Sequence, residues 1–135
     1  MALINWNDSY SVKVKVIDVQ HKKIVDIINE LHDKMKEGKG KEVVGKLLNQ
    51  LLDYTVLHFA FEEKLLNTNN YPDSKTHIKL HSDLIEEVKA FRKKYESGSA
   101  MLSLELMNFL KKWLVEHILN SDKKYSAHLN ANGVN

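Results

Sequence analysis

Apolar positions in this chain follow two spacings. From 12 to 16, Val12, Val14 and Val16 alternate with Lys13 and Lys15, the period of a strand. No second strand-like segment follows to pair with it, so residues 1–17 read as an extended arm laid along the rest of the molecule, with Trp6 as its anchor. Asp18 reads as a helix N-cap. From there to about Glu37 the apolar residues Ile24, Val25, Ile28, Leu31 and Met35 recur at helical spacing, with His21 on the same side, and Gly38-Lys39-Gly40 stops the run. A second helix from about Lys41 to Leu66 turns Leu48, Leu51, Tyr54, Thr55, His58, Phe61, Glu62 and Leu65 inward. After the breaker run NTNNYPD, Asp73 or Ser74 caps a third helix to about Tyr95, with His77, His81, Leu84, Ile85, Val88 and Phe91 in its stripe. Ser97-Gly98-Ser99 breaks the chain again, and a fourth helix from near Ser103 to near Asn120 shows Leu106, Met107, Leu110, Trp113, Leu114 and His117 on one face. Short connections between long amphipathic helices favour antiparallel neighbours. The pattern predicts an all-α fold, an up-down-up-down four-helix bundle over 18–120, with residues 121–135 a short helix and a tail that frays from 130.

Composition narrows the use of such a bundle. A chain of 135 residues with 43% hydrophobic content supports one domain with a core. Formal net charge is +2, and the basic residues are lysines spread along the chain with Arg92 the single arginine, which argues against a nucleic-acid surface. Without cysteine there is no disulfide framework, no thiolate metal site and no cysteine nucleophile, so any metal must be held by nitrogen and oxygen. No signal peptide and no membrane-spanning run is legible, and a soluble, cytoplasmic monomer is the expectation.

Histidines and carboxylates supply candidate chemistry. His58 with Glu62, and His77 with His81, are i, i+4 pairs, a spacing that turns a side chain only about 40° on a helix and raises it ~6 Å. Each pair can therefore grip one object, and the reversal between them sets the pairs face to face. His21 lies near the start of the first helix and His117 near the end of the fourth. In an antiparallel bundle all these positions fall at one pole, which a random scatter of histidines would not do. Asp122 is different: five residues beyond His117 it is turned roughly 140° away on an unbroken helix. It joins the others only if the helix breaks first, at Asn120-Ser121; otherwise it caps the short helix DKKYSAHL. Five imidazoles and two carboxylates exceed what one tetrahedral zinc needs, so two metals bridged by carboxylates fit better, and iron suits nitrogen-rich ligation. The Glu-x-x-His pairs of ferritin-like di-iron proteins and the His-Glu-x-x-His of zinc peptidases are both missing.

The motifs Asp18-Val19-Gln20-His21, His58-x-x-x-Glu62, His77-x-x-x-His81 and His117-x-x-x-x-Asp122, with Trp6 in the arm and Trp113 one turn before His117, resemble the hemerythrin family, in particular the single-domain bacteriohemerythrins. The resemblance covers nearly the whole chain. It implies a non-haem di-iron centre with an oxo or hydroxo bridge that binds O2 reversibly. On that pattern His77, His81 and His117 hold one iron, His21 and His58 hold the other and leave it an open position, and Glu62 and Asp122 bridge the two.

Reduced oxygen must not be protonated and lost, so its pocket should be apolar and nearly dry. Ile24, Phe59, Trp113 and Leu119, each within about a turn of a ligand, are the candidate walls. His32 returns to the face of His21 but ~16 Å further along, too far to share the centre. His128 lies beyond the bundle and is expected to be exposed. The reading is of an oxygen-binding protein for storage or for delivery to oxygen-using enzymes, with no catalytic residue and no enzymatic activity of its own. The alternatives are a di-iron peroxidase, oxidase or nitric oxide scavenger, and an oxygen or redox sensor, which would need a separate output partner.

Overall fold

The computed structural model describes residues 3–37, 41–96 and 102–135. After a 3-10 turn at Asp8–Tyr10 come the helices α1 (Lys15–Lys36), α2 (Lys41–Thr68), α3 (Ser74–Glu96) and α4 (Leu102–Glu116). A π-helical turn, His117–Asp122, runs on from α4 and leads directly into α5 (Lys123–Ala131). Among the described residues there is no strand. α1 packs on α2, α2 on α3, and α4 closes the ring against both α3 and α1, so the four-helix bundle is as the pattern predicts. The glycine stop at 38–40 and the Ser-Gly-Ser break lie outside the described residues.

The core follows the apolar stripes, with Ile24, Ile28 and Leu31 meeting Leu48, Leu51, Leu106 and Leu110 in full burial. Fully burying one such side chain contributes about 1.5–3 kcal/mol, and this supplies the rigidity against which polar side chains are held. One inward assignment fails: Phe61 is 38% exposed, because the buried stripe of α2 runs through His58, Phe59, Glu62 and Leu66 and leaves Phe61 on its flank.

The arm is extended, but Trp6 is not its anchor. Trp6 is only partly buried, tilted against Tyr10 with the Lys22 ammonium over its ring. The fixed points are Ile4, Val12 and Val14, all buried, together with a two-bond clamp between the Ile4 backbone and the Asn29 amide, at 2.9 Å in both directions. α1 begins at Lys15, three residues before the expected cap. Asp18 instead sits in the first turn, where its carboxylate accepts from the Val12 N–H (2.9 Å) and the Ser11 hydroxyl (2.6 Å), pinning arm to helix.

The reversal between α2 and α3 has a defined geometry. Asn70 adopts φ +55°, its N–H donates to the Asn67 carbonyl, and the Tyr71 N–H reaches back to the Leu66 carbonyl. This is a Schellman closure with asparagine in the left-handed position, and Tyr71 is buried beneath it. The same device ends α5, with Gly133 at φ +81° and the Val134 N–H bonded to the Leu129 carbonyl at 2.9 Å. The tail therefore folds back and does not fray, and Asn130 reinforces it by donating to the carbonyls of Lys13 and Val134.

Candidate metal centre

Each i, i+4 pair delivers its side chains to the core as the helical spacing requires. His21, His58, Glu62, His77, His81, His117 and Asp122 are all buried at the pole where α2 turns into α3. They form two groups that share Glu62. One contains Glu62, His77, His81, His117 and Asp122, the other His21, His58 and Glu62, and within each the ligand atoms lie within 4.8 Å of one another.

The two carboxylates divide their oxygens between the groups. Glu62 Oε1 faces His77 Nε2 (2.6 Å) and His81 Nε2 (3.2 Å), while Glu62 Oε2 faces His58 Nε2 (3.0 Å) and His21 Nε2 (3.8 Å). Asp122 repeats this, with Oδ1 3.0 Å from both His77 and His117 Nε2 and Oδ2 3.1 Å from His21 Nε2. Three imidazoles thus stand on one side of the carboxylate pair and two on the other.

Asp122 arrives without the helix break that the sequence suggested. In the π-turn each residue advances by less than the 100° of an α-helix, so a residue five positions on returns toward the face of His117. The wider turn does what a break would have done, and keeps the backbone hydrogen-bonded into α5.

Partners behind the rings fix their orientation. His58 Nδ1 donates to Gln20 Oε1 at 2.5 Å, and His81 Nδ1 faces Glu63 Oε2 at 3.4 Å. Both outer partners are polar residues beside a ligand in the sequence, and only the fold assigns each to its ring. With its N–H committed to Gln20, a neutral His58 presents a lone pair at Nε2 toward Glu62 Oε2. Two acceptors 3.0 Å apart repel unless a cation lies between them. His21, His58, His81 and His117 Nε2, Glu62 Oε2 and both Asp122 oxygens are likewise buried without hydrogen-bond partners. Such a donor set, all nitrogen and oxygen, fits metal cations.

The electrostatics agree. Burial alone pushes His21 and His77 down, but the Asp122 and Glu62 carboxylates beside each outweigh it and raise both to about 9. For His58 burial wins and the pKa falls, favouring the neutral ring. Burial pushes Glu62 up, yet the surrounding imidazoles hold it well below the usual carboxylate range. Asp122, pushed up by burial and by Glu62, is held far below that range by His117 and His21.

The candidate pocket walls separate. Ile24 is buried one turn from His21, beside the two-imidazole group. Phe59 stacks on His81, centroids 3.6 Å apart, and Trp113 packs edge-on to Phe59 and 6.4 Å from His117, so both wall the three-imidazole group. Leu119 is 37% exposed and is no wall, because the π-turn points the neighbouring Ile118 inward instead. His32 stands apart, half-buried and 4.0 Å from Asp33. His128 is not exposed as expected: its ring donates to the Asn69 carbonyl at 2.6 Å and lies against Tyr71, tying α5 to the reversal.

Sequence reasoning also missed Tyr125. It is fully buried, with its ring 5.5 Å from His77, and burial followed by the nearness of Asp122 and Glu62 raises its pKa well above the ordinary value. Its position one turn after Asp122 was the available signal.

Residues 12–129 match the family model for the hemerythrin HHE cation binding domain. A bacteriohemerythrin of Pseudomonas aeruginosa is 39% identical over 93% of this chain and 80% of its own length. Another, from Methylococcus capsulatus, is 36% identical over 97% of this chain and all of its own length. A crystal structure of a wild-type hemerythrin superposes with a TM-score of 0.87 at 35% identity, covering 95% of this chain and 98% of that one. Family model, relatives and fold coincide with a buried histidine and carboxylate cluster of metal-ligating composition, and the chain belongs to the hemerythrin family.

Proposed function

We propose that this chain holds a pair of non-haem irons and binds O2 reversibly, for storage or for delivery to an oxygen-using enzyme. The observation that carries the reading is the division of Glu62 and Asp122: each turns one oxygen to the group of His77, His81 and His117 and the other to the group of His21 and His58. That arrangement serves two cations better than one, and it is uneven: His77, His81 and His117 supply one position, His21 and His58 the other. The less protein-ligated position leaves room for a small exogenous ligand. When bound, the iron pair supplies two electrons to O2 and takes them back on release.

The protein's own part is to keep that exchange clean. Ile24, Phe59 and Ile118 bury the cluster in apolar surface and exclude water. Gln20 holds the His58 ring with Nε2 inward. Glu62 and Asp122 stay ionised, so neither is a ready proton donor. These features favour a binder over an enzyme.

Purified protein loaded with ferrous iron under argon should contain two irons per chain, develop a visible absorption band in air, and lose it again under argon over repeated cycles. One metal per chain, or irreversible oxidation in the first cycle, would overturn the reading.

A further inference from the structure

Between α3 and α4 lies an open groove of about 530 Å³ that runs in as far as the outer edge of the His117 ring, whose Nε2 is itself buried. Its apolar floor is Leu84, Phe109 and Trp113, with His117 at its inner end. Trp113 is only 6% exposed, and its indole N–H is buried with no hydrogen-bond partner. Around the mouth stand Asp83, Glu87 and Glu116 against the single cation Lys112, and none of the four is in an ion pair among the described residues. The volume suits one ring system of small-cofactor size, and aromatic floors favour stacking with flat ligands. The acidic rim selects against anionic ones.

We propose that this groove binds a neutral or cationic planar heteroaromatic reductant, of the riboflavin class, and is where electrons enter the centre. Aromatic side chains connect the two: Trp113 lines the groove, packs edge-on to Phe59 at 6.2 Å and lies 6.4 Å from His117, and Phe59 stacks on His81. Both histidines belong to the three-imidazole group, so the route approaches from the side opposite His21 and His58. The dihydro form of such a heterocycle gives up two electrons and two protons on oxidation. The electrons reduce each iron of an oxidised pair by one, and the protons leave to bulk water at the open mouth of the groove. The electron step rests on the di-iron reading; the binding step does not.

The test titrates metal-free and iron-loaded protein into riboflavin and into flavin mononucleotide, following flavin emission. Riboflavin should bind saturably and at least tenfold tighter than the phosphorylated form, and Asp83→Lys/Glu87→Lys should reverse that preference. Leu80→Trp, at a partly exposed position on the groove's edge, should weaken riboflavin at least tenfold with iron content unchanged. Anaerobic dihydroriboflavin should reduce the oxidised centre at least tenfold faster in the parent protein than in Leu80→Trp. Absence of saturable binding, equal binding by Leu80→Trp, or tighter binding of the phosphorylated flavin overturns the site, and equal reduction rates overturn the electron route. Riboflavin binding by a protein that takes up fewer than two irons would reject the di-iron reading and leave the binding site standing.

Discussion

Gln20 Oε1 accepts from His58 Nδ1 at 2.5 Å, and this bond from α1 to α2 decides which nitrogen of His58 faces the carboxylates. Losing a partner behind a ligand histidine commonly costs 10–100-fold in metal affinity. Gln20→Leu should therefore weaken the two-imidazole position by that factor, while Gln20→Glu, which keeps an acceptor, retains most of the affinity. Chelator competition measures both; equal loss in the two variants would show that packing, and not ring orientation, is what Gln20 provides.

His77 contacts both carboxylates, whereas His32 touches neither. His77→Ala should lose metal from the three-imidazole position and abolish the oxygenated spectrum. His32→Ala should keep two metals per chain and change stability by less than about 1 kcal/mol, as partly exposed substitutions do. Metal analysis and air–argon cycling decide between them, and similar damage from both would refute the ligand assignment.

Stripped of metal by a chelator, the chain should have an optimum of stability in mildly acidic solution. His21 and His77 are raised to about 9 in the fold, above their ordinary 6.5, so their contribution is complete below pH 6.5 and is lost as pH rises through 9. Glu62 and Asp122 are depressed, so theirs is present above the ordinary carboxylate pKa and is lost as pH falls. His58, depressed by burial, takes something from the acidic side as well. Thermal melts should thus peak between about pH 5 and 6.5. Reloading with metal should flatten the alkaline limb, because a coordinated imidazole has already given up the proton of its ligating nitrogen. A melting temperature that climbs steadily to pH 9 without metal would contradict these shifts.

Asn70 at φ +55° sets the angle between the His58–Glu62 and His77–His81 pairs. A non-glycine residue without asparagine's local hydrogen bonds pays about 1–2 kcal/mol in the left-handed region. Asn70→Ala should destabilise by that amount in urea titrations, and Asn70→Gly should be neutral within about 0.5 kcal/mol. Equal loss in both variants would place the role of Asn70 in its side chain and not in its backbone.

The sequence made the bundle and the ligand pairs legible because both rest on helical periodicity, which is a local property. His58, Glu62, His77 and His81 needed nothing beyond an i, i+4 spacing and a turn between them. Asp122 was ambiguous because a spacing of five is off-face in an α-helix and close to on-face in a π-turn, and tertiary packing chooses between the two. Gln20 and Glu63 were visible as residues but not as partners, since pairing α1 with α2 and α2 with α3 fixes which ring each one meets. Tyr125 was passed over, His128 was expected to be exposed, and Val134 was placed in a fraying tail. The first two pack on the α2–α3 reversal through Tyr71 and Asn69, and the last folds back on α5, contacts that only the tertiary fold supplies.

The Ser126 hydroxyl donates to the Val12 carbonyl at 2.5 Å, four residues past Asp122, and so sews the beginning of the fold to its end beside the cluster. Emerging from the ribosome, a nascent chain can assemble α1 to α3 early, but His21 and Asp122 meet only after about a hundred further residues have been made. Any metal that needs the full set of ligands can therefore be captured only once synthesis has passed residue 122.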